Sequence, residues 1–230
     1  MTMQQLVLDM GLASSPTLDN FLANEQSELL AHLRLWLSNP RRSPVPTLLW
    51  GVGGCGKTHL LRAAQAQAHA QGEHVGWLDA SMRFPPAFDE GWSIVIMDDC
   101  HLYTAEQQAA AFNWFVNAQT PASGPARWVL AAADRPPADL PVREDLRTRL
   151  GWGQVFAVQP LTEADRRRVL RRAADERGVF LSDEVMDYML SRFSRDLSSL
   201  MALLEQLDGY ALRTQRPITI PLVRAMLENT

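Results

Sequence analysis

Apolar and polar positions along the 230-residue chain follow two regimes, and the change between them comes near Pro160. In the first regime short apolar runs alternate with helical patterns. Ser93–Met97 (SIVIM) and Trp128–Ala133 (WVLAAA) are continuous apolar stretches of strand length, the signature of strands covered on both faces of a parallel sheet. Thr47–Trp50 and Val75–Asp79 read as two further strands. Between them, the segment from Glu25 to Leu37 places Leu29, Leu30, Leu33 and Leu37 at helical intervals. Thr58–Gln71 is rich in Ala, Leu and Gln and stops at Gly72, and Ala105–Asn117 reads as a third helix. Such alternation predicts a doubly wound α/β sheet with its chemistry at the carboxyl ends of the strands.

The second regime is helical. Thr162–Arg177, Ser182–Phe193, Leu197–Thr214 and Pro221–Glu228 carry helix patterns, and only Ile218–Ile220 has a short strand-like alternation. Thr162 followed by Asp165 is a capping-type start. The expected organisation is a lead-in over residues 1–15, an α/β domain over 16–160 and a small all-helical domain over 161–230.

One motif gives the first domain its chemistry. Gly51, Val52, Gly53, Gly54, Cys55, Gly56, Lys57 and Thr58 match G-x-x-x-x-G-K-[ST] at every defined position, between a predicted strand and a predicted helix. The glycines allow a nest of backbone amides to face phosphate oxygens, and the following helix adds its positive end. Lys57 supplies a cation for the β- and γ-phosphates, and the Thr58 hydroxyl is placed to ligate Mg²⁺. Cys55 reads as a small filler residue in the loop. Asp98 and Asp99 end the Ser93–Met97 strand. Asp98 suits the Mg²⁺ water shell, and Asp99 suits the orientation of an attacking water. His101 reads as a surface loop residue. Asp134, at the end of Trp128–Ala133, is read as a polar sensor of the nucleotide or as a cap on the turn before Pro136 and Pro137. ADP or ATP with Mg²⁺ is the expected ligand.

Composition narrows the rest. A net charge of −4 lowers the expectation of autonomous nucleic-acid binding, which leans on phosphate neutralisation. Two cysteines without a CxxC pair point to a reducing compartment and away from zinc. No signal-peptide pattern and no membrane-length apolar run are present, so a cytoplasmic protein without membrane contact is expected.

In order and spacing these segments resemble the AAA+ ATPases of the DnaA replication-initiator group, over nearly the whole chain. PTLDNFL resembles the entry segment that lines the adenine pocket, which places Leu18, Asp19, Asn20 and Phe21 with His59 at the nucleotide. DDCHL resembles the Asp-Asp Walker B, ADRPP the sensor-1 turn, and ITIPLVRAML the end of the helical lid. LRTRLGWG resembles the arginine-finger segment, with Arg149 as the finger that projects from the subunit edge and Arg147 as the fallback. At the sensor-2 position the alignment gives Ser198, with Arg195 one helical turn earlier as a substitute. Intrinsic hydrolysis is therefore expected to be weak.

The chain stops after the lid and starts just before the core, so neither the initiator's DNA-binding domain nor its N-terminal domain is expected. In the N-terminal segment Gln5, Leu6, Leu8 and Met10 resemble a peptide that docks on the DNA polymerase sliding clamp. Asp9 and Met10 stand where that pattern favours Pro and Leu. The resemblance implies a DnaA-like regulator, docked on the clamp, that stimulates hydrolysis of DnaA-bound ATP and prevents re-initiation. Its partners would be DnaA and the clamp, with DNA contacted only indirectly and a homo-oligomer open. A helicase loader or related adaptor acting on single-stranded DNA is the alternative, and a self-sufficient ATPase the third reading.

Overall fold

The computed structural model describes residues 16–22, 27–39, 43–192 and 197–228. The chain separates into two compact units, one formed by Pro16–Pro160 and one containing Leu161–Thr230.

The first unit is built on five parallel strands: β1 (Thr47–Trp50), β2 (Val75–Leu78), β3 (Ile94–Met97), β4 (Trp128–Ala133) and β5 (Gln154–Ala157). Their order across the sheet is β2-β3-β4-β1-β5, so β4 is inserted between the strand that enters the glycine loop and the strand that ends at Asp98. The helices of this unit are α1 (Ser27–Ser38), α2 (Lys57–Ala70), α3 (Ala105–Gln119) and α4 (Glu144–Leu150).

The sheet is covered on both faces, and the two-residue period of the strands shows how. Leu49, Ile94, Ile96, Leu130 and Ala132 join one buried cluster with Leu33 of α1 and Leu60 and Leu61 of α2. Their neighbours Leu48, Val95, Met97, Val129 and Ala131 point the other way, into a cluster with Trp114 and Phe115 of α3 and Leu146 of α4. Every position of β3 and β4 is buried, which is why both read as unbroken apolar runs rather than as alternation. The edge strand β5 behaves differently. Three of its four positions are exposed although Val155, Phe156 and Ala157 are apolar, and the strand is an addition to those expected from the sequence.

The second unit contains α5 (Glu163–Glu176), α6 (Asp183–Arg192), α7 (Leu197–Thr214) and α8 (Ile220–Glu228). Thr162 and Asp165 form the expected reciprocal capping box at the start of α5. The core of the unit is its own, with Leu170, Leu181, Met186, Met189, Leu204, Leu207 and Val223 fully or nearly fully buried. Ile218–Ile220 is not a strand. Ile220 opens α8, and the Thr219 hydroxyl accepts a hydrogen bond from the Leu222 amide, so the alternation belongs to a helix start. Among the described residues no helix is long and apolar enough to cross a membrane.

Candidate functional site

Register brings the predicted site residues to one edge of the sheet. Trp50 at the end of β1 pairs with Ala133 at the end of β4, so Gly51 and Asp134 leave the sheet side by side. The Gly51 amide donates to the Ala133 carbonyl at 3.2 Å. Met97 pairs with Ala131, which puts Asp98 at the same edge on the far side of β4.

The loop itself is shaped by close approach. A side chain at Gly51 would run into the Val158 carbonyl, and one at Gly56 would stand 2.7 Å from the Phe21 ring. Gly56 also has φ +101°, a left-handed conformation that turns the chain directly into α2. Val52, Gly53 and Gly54 stay exposed at the crest, while Cys55 is buried beneath, in the filler role expected of it. Lys57 is buried at 6% exposure, and its Nζ donates to the carbonyls of Gly51 at 2.7 Å and Val52 at 3.1 Å. It also reaches Cys55 Sγ at 3.7 Å and has no carboxylate partner among the described residues, so its donors are held by neutral acceptors beside the place an anion would take.

Asp98 is 4% exposed and receives a hydrogen bond from Thr58. Burial holds its carboxyl above the usual range, opposed by the Thr58 hydroxyl and reinforced by the adjacent Asp99 charge. A buried carboxylate bonded to the hydroxyl at the start of α2 is the donor pair that a hard divalent cation takes when phosphates and water complete its shell. Asp99 turns out of the strand at φ 50° and ψ 43°, a left-handed conformation that aspartate tolerates better than most residues. Its half-buried carboxylate accepts no hydrogen bond among the described residues.

Asp134 accepts two hydrogen bonds from Arg135, at 2.8 and 2.7 Å, and these hold its carboxyl below the ordinary value. His101 is not the surface residue that its loop position implies. Its side chain is 15% exposed, and Nδ1 lies buried 4.0 Å from Asp134 Oδ1 with no hydrogen-bond partner among the described residues. The one-turn 3-10 helix Cys100–Leu102 that follows Asp99 folds His101 back over the strand ends, a geometry that sequence spacing does not reveal.

The entry segment divides. Phe21 reaches the glycine loop, against Gly56 and 5.8 Å from the His59 ring, and His59 in turn bonds the Thr17 carbonyl at 3.1 Å. Burial lowers the affinity of His59 for a proton. Leu18 is buried in the core beside α1 and α2. Asp19 and Asn20 are engaged elsewhere: Asp19 pairs with Arg34 at 2.9 Å, and Asn20 closes a turn with Thr17.

Arg149 lies in the last turn of α4 and is half-buried. Its guanidinium does not project freely; it rests 5.1 Å from the Phe112 ring and 5.9 Å from the Phe115 ring of α3. No ion pair holds Arg149 or Arg147 among the described residues, whereas Arg143 is paired with Asp145 at 2.6 Å. The peptide Gln5, Leu6, Leu8 and Met10 lies outside the described residues, as do Arg195 and the side chain of Ser198.

Comparison with known proteins adds to this geometry. Residues 163–227, from the start of α5 to the end of α8, match the family model of the Hda lid domain. Over that segment the chain is similar to Hda. Domain III of the Thermotoga maritima replication initiator DnaA superposes with a TM-score of 0.75 at 19% identity, over 93% of this chain and 95% of that one. AMPPCP-bound DnaA from Aquifex aeolicus gives 0.67 at 21% identity, over 86% of this chain and 66% of that one. The RuvB Holliday junction branch migration motor of Thermotoga maritima gives 0.65 at 16% identity, over 93% and 71%. At these identities the superpositions establish the AAA+ fold, and the match over α5–α8 supplies the Hda likeness.

Proposed function

We propose that this protein is a regulator that binds ADP or ATP with Mg²⁺ in its own glycine loop and stimulates the hydrolysis of ATP held by DnaA. The observation that carries the reading is the Hda lid match over residues 163–227, joined to a unit in which Lys57, Thr58, Asp98 and Asp134 meet at one sheet edge. In its own site Lys57 and the amides of the loop hold phosphates, while Thr58 and Asp98 hold the cation. Phe21 and His59 close over the start of α2 on the side where a base would lie. When bound, Mg²⁺ supplies charge neutralisation between phosphate oxygens.

The action on DnaA runs through Arg149. A guanidinium without a carboxylate partner, at the end of a short helix, is available to an anion on a neighbouring molecule. It neutralises the charge that develops on a γ-phosphate during transfer, worth about 10³–10⁵ in rate in well-formed cases. Docking on the sliding clamp through Gln5, Leu6, Leu8 and Met10 would concentrate the protein where DnaA must be switched off, since an extended peptide presents these side chains to one groove.

A single-turnover assay tests this, with labelled ATP prebound to DnaA and the clamp loaded on DNA. Arg149→Ala is expected to retain ADP binding and clamp binding and to lose stimulation by at least about 100-fold. Paired Leu6→Ala and Leu8→Ala changes are expected to abolish stimulation that depends on the clamp. Full stimulation by Arg149→Ala rejects the finger. Clamp-independent activity with tight single-stranded DNA binding favours the loader alternative.

A further inference from the structure

The contacts of Arg149 explain how a finger with no ion pair is kept in one place, and the explanation lies on another helix. We propose that Phe112, in the middle of α3, is the positioning residue for Arg149: its ring seats the guanidinium and leaves the N–H donors open to a phosphate. This rests on the assignment of Arg149 as the finger.

Two observations carry it. Among the described residues Phe112 has two guanidinium neighbours, Arg143 at 5.0 Å and Arg149 at 5.1 Å. Arg143 is spoken for: its Nε and Nη2 are bonded to the Asp145 carboxylate, and its amide is bonded to Gln108. Arg149 has the ring contacts to Phe112 and Phe115, and its side chain makes no hydrogen bond or ion pair among the described residues. A guanidinium held through its π face keeps its five edge donors free, whereas one held by a carboxylate spends them. A ring contact is also weak enough to yield to a phosphate, yet it removes much of the rotamer entropy that a long free side chain loses on docking. The same contact separates Arg149 from Arg147, two residues away, which has no aromatic ring contact among the described residues.

Phe112 also ties the finger to the nucleotide edge. Helix α3 starts at the Thr104 capping box, two residues after the 3-10 turn Cys100–Leu102 that Asp99 caps. Tyr103, between the two, anchors its hydroxyl to the Leu78 carbonyl at 2.8 Å. The seat is therefore fixed to the same framework that presents Asp98 and Asp99.

The test uses the full chain, with DnaA, labelled ATP and clamp-loaded DNA. Phe112→Leu keeps an apolar side chain and removes the ring, and Phe112→Tyr keeps the ring. With Phe112→Leu, stimulated hydrolysis is expected to fall by about 3- to 30-fold while ADP affinity and clamp binding stay unchanged. Phe112→Tyr is expected to retain the wild-type rate. Independently of activity and of any variant's folding, the Arg149 side-chain Nε–H resonance of the wild-type protein, assigned by its absence in Arg149→Lys, is expected to carry an aromatic ring-current shift. The absence of that shift overturns the proposal, as does Phe112→Leu stimulating like wild type or Phe112→Tyr falling as far as Phe112→Leu. If Arg149→Ala itself stimulates fully, the finger assignment fails and the role of its seat fails with it. Loss with Arg149→Ala but not with Phe112→Leu rejects the seat alone.

Discussion

Asp98 shows the cost of function at a single residue. It is buried, it sits beside Asp99, and its one charge-stabilising side-chain bond comes from the Thr58 hydroxyl. Burial raises its folded-state pKa above the unfolded value, so the folded chain holds that proton more tightly. The stability associated with the neutral form is present below the unfolded carboxylate range near pH ~4 and is lost as pH rises through the raised folded value. Near neutrality the ionised Asp98 therefore destabilises the nucleotide-free protein, until a cation at that edge offsets its charge. Asp98→Asn is expected to raise the midpoint of thermal unfolding of the nucleotide-free protein at neutral pH, with the gain vanishing below pH ~4. The same change is expected to weaken Mg²⁺-dependent nucleotide binding, measured by calorimetry with and without the cation. A lower melting temperature for the variant would mean that the carboxylate stabilises the apo site. The residues of the glycine loop were readable in advance because backbone cradling of phosphate needs glycines at fixed spacing. The place of His101 was not, since its approach to Asp134 depends on how the 3-10 turn folds.

Helix α3 acts as a structural tie. Its N-terminal capping box joins Thr104 and Gln107 reciprocally, and Gln107 has a second task. Buried at 2% exposure, its Nε2 faces the carbonyls of Asp79, Ala80 and Met82 at 3.4, 3.1 and 2.9 Å. These belong to the long connection between β2 and β3, which has no helix of its own. At its far end the connection is held by Arg127, which donates to the Trp92 and Glu90 carbonyls, and by Trp114, which donates to the Pro86 carbonyl. Gln107→Leu would keep the volume and remove the side-chain donor from the partly buried carbonyls of Ala80 and Met82. It is expected to cost about 1–3 kcal/mol in denaturant unfolding, with local loss of amide protection over residues 79–83. Unchanged stability would show that water replaces the side chain. The capping patterns of α5 and α3 are both local and present in the sequence, but the second task of Gln107 is not, because it bonds chain more than twenty residues away.

At the scale of the whole molecule the two units have separate cores. The clusters on the two faces of the sheet draw on residues from Leu18 to Val158, and the lid cluster draws on residues from Leu170 to Met226. All seven tryptophans fall at or before Trp152, so tryptophan fluorescence reports on the sheet unit alone. Leu204, fully buried in α7, is the natural probe of the other unit. Leu204→Ala is expected to destabilise the lid by about 2–5 kcal/mol through a cavity that surrounding side chains fill only partly. Far-ultraviolet circular dichroism should then show a helical loss at lower denaturant than the fluorescence transition. Coincident shifts of both signals would show instead that the two units unfold as one.

Local chemistry in the sequence determined the glycine loop with its lysine and threonine, the acidic end of β3, the two buried apolar strands and the change to an all-helical second unit. Each of these is written in consecutive residues, because phosphate cradling, two-sided strand burial and helix periodicity are short-range demands. Tertiary structure decided the rest. It placed β4 between β1 and β3, set the short apolar segment of β5 at the exposed edge of the sheet, and turned Ile218–Ile220 into a helix start. It also divided the entry segment between the loop and the surface, and laid Arg149 on Phe112, thirty-seven residues earlier in the chain. Those outcomes depend on which distant surfaces meet when apolar area is buried, and no window of neighbouring residues carries that information.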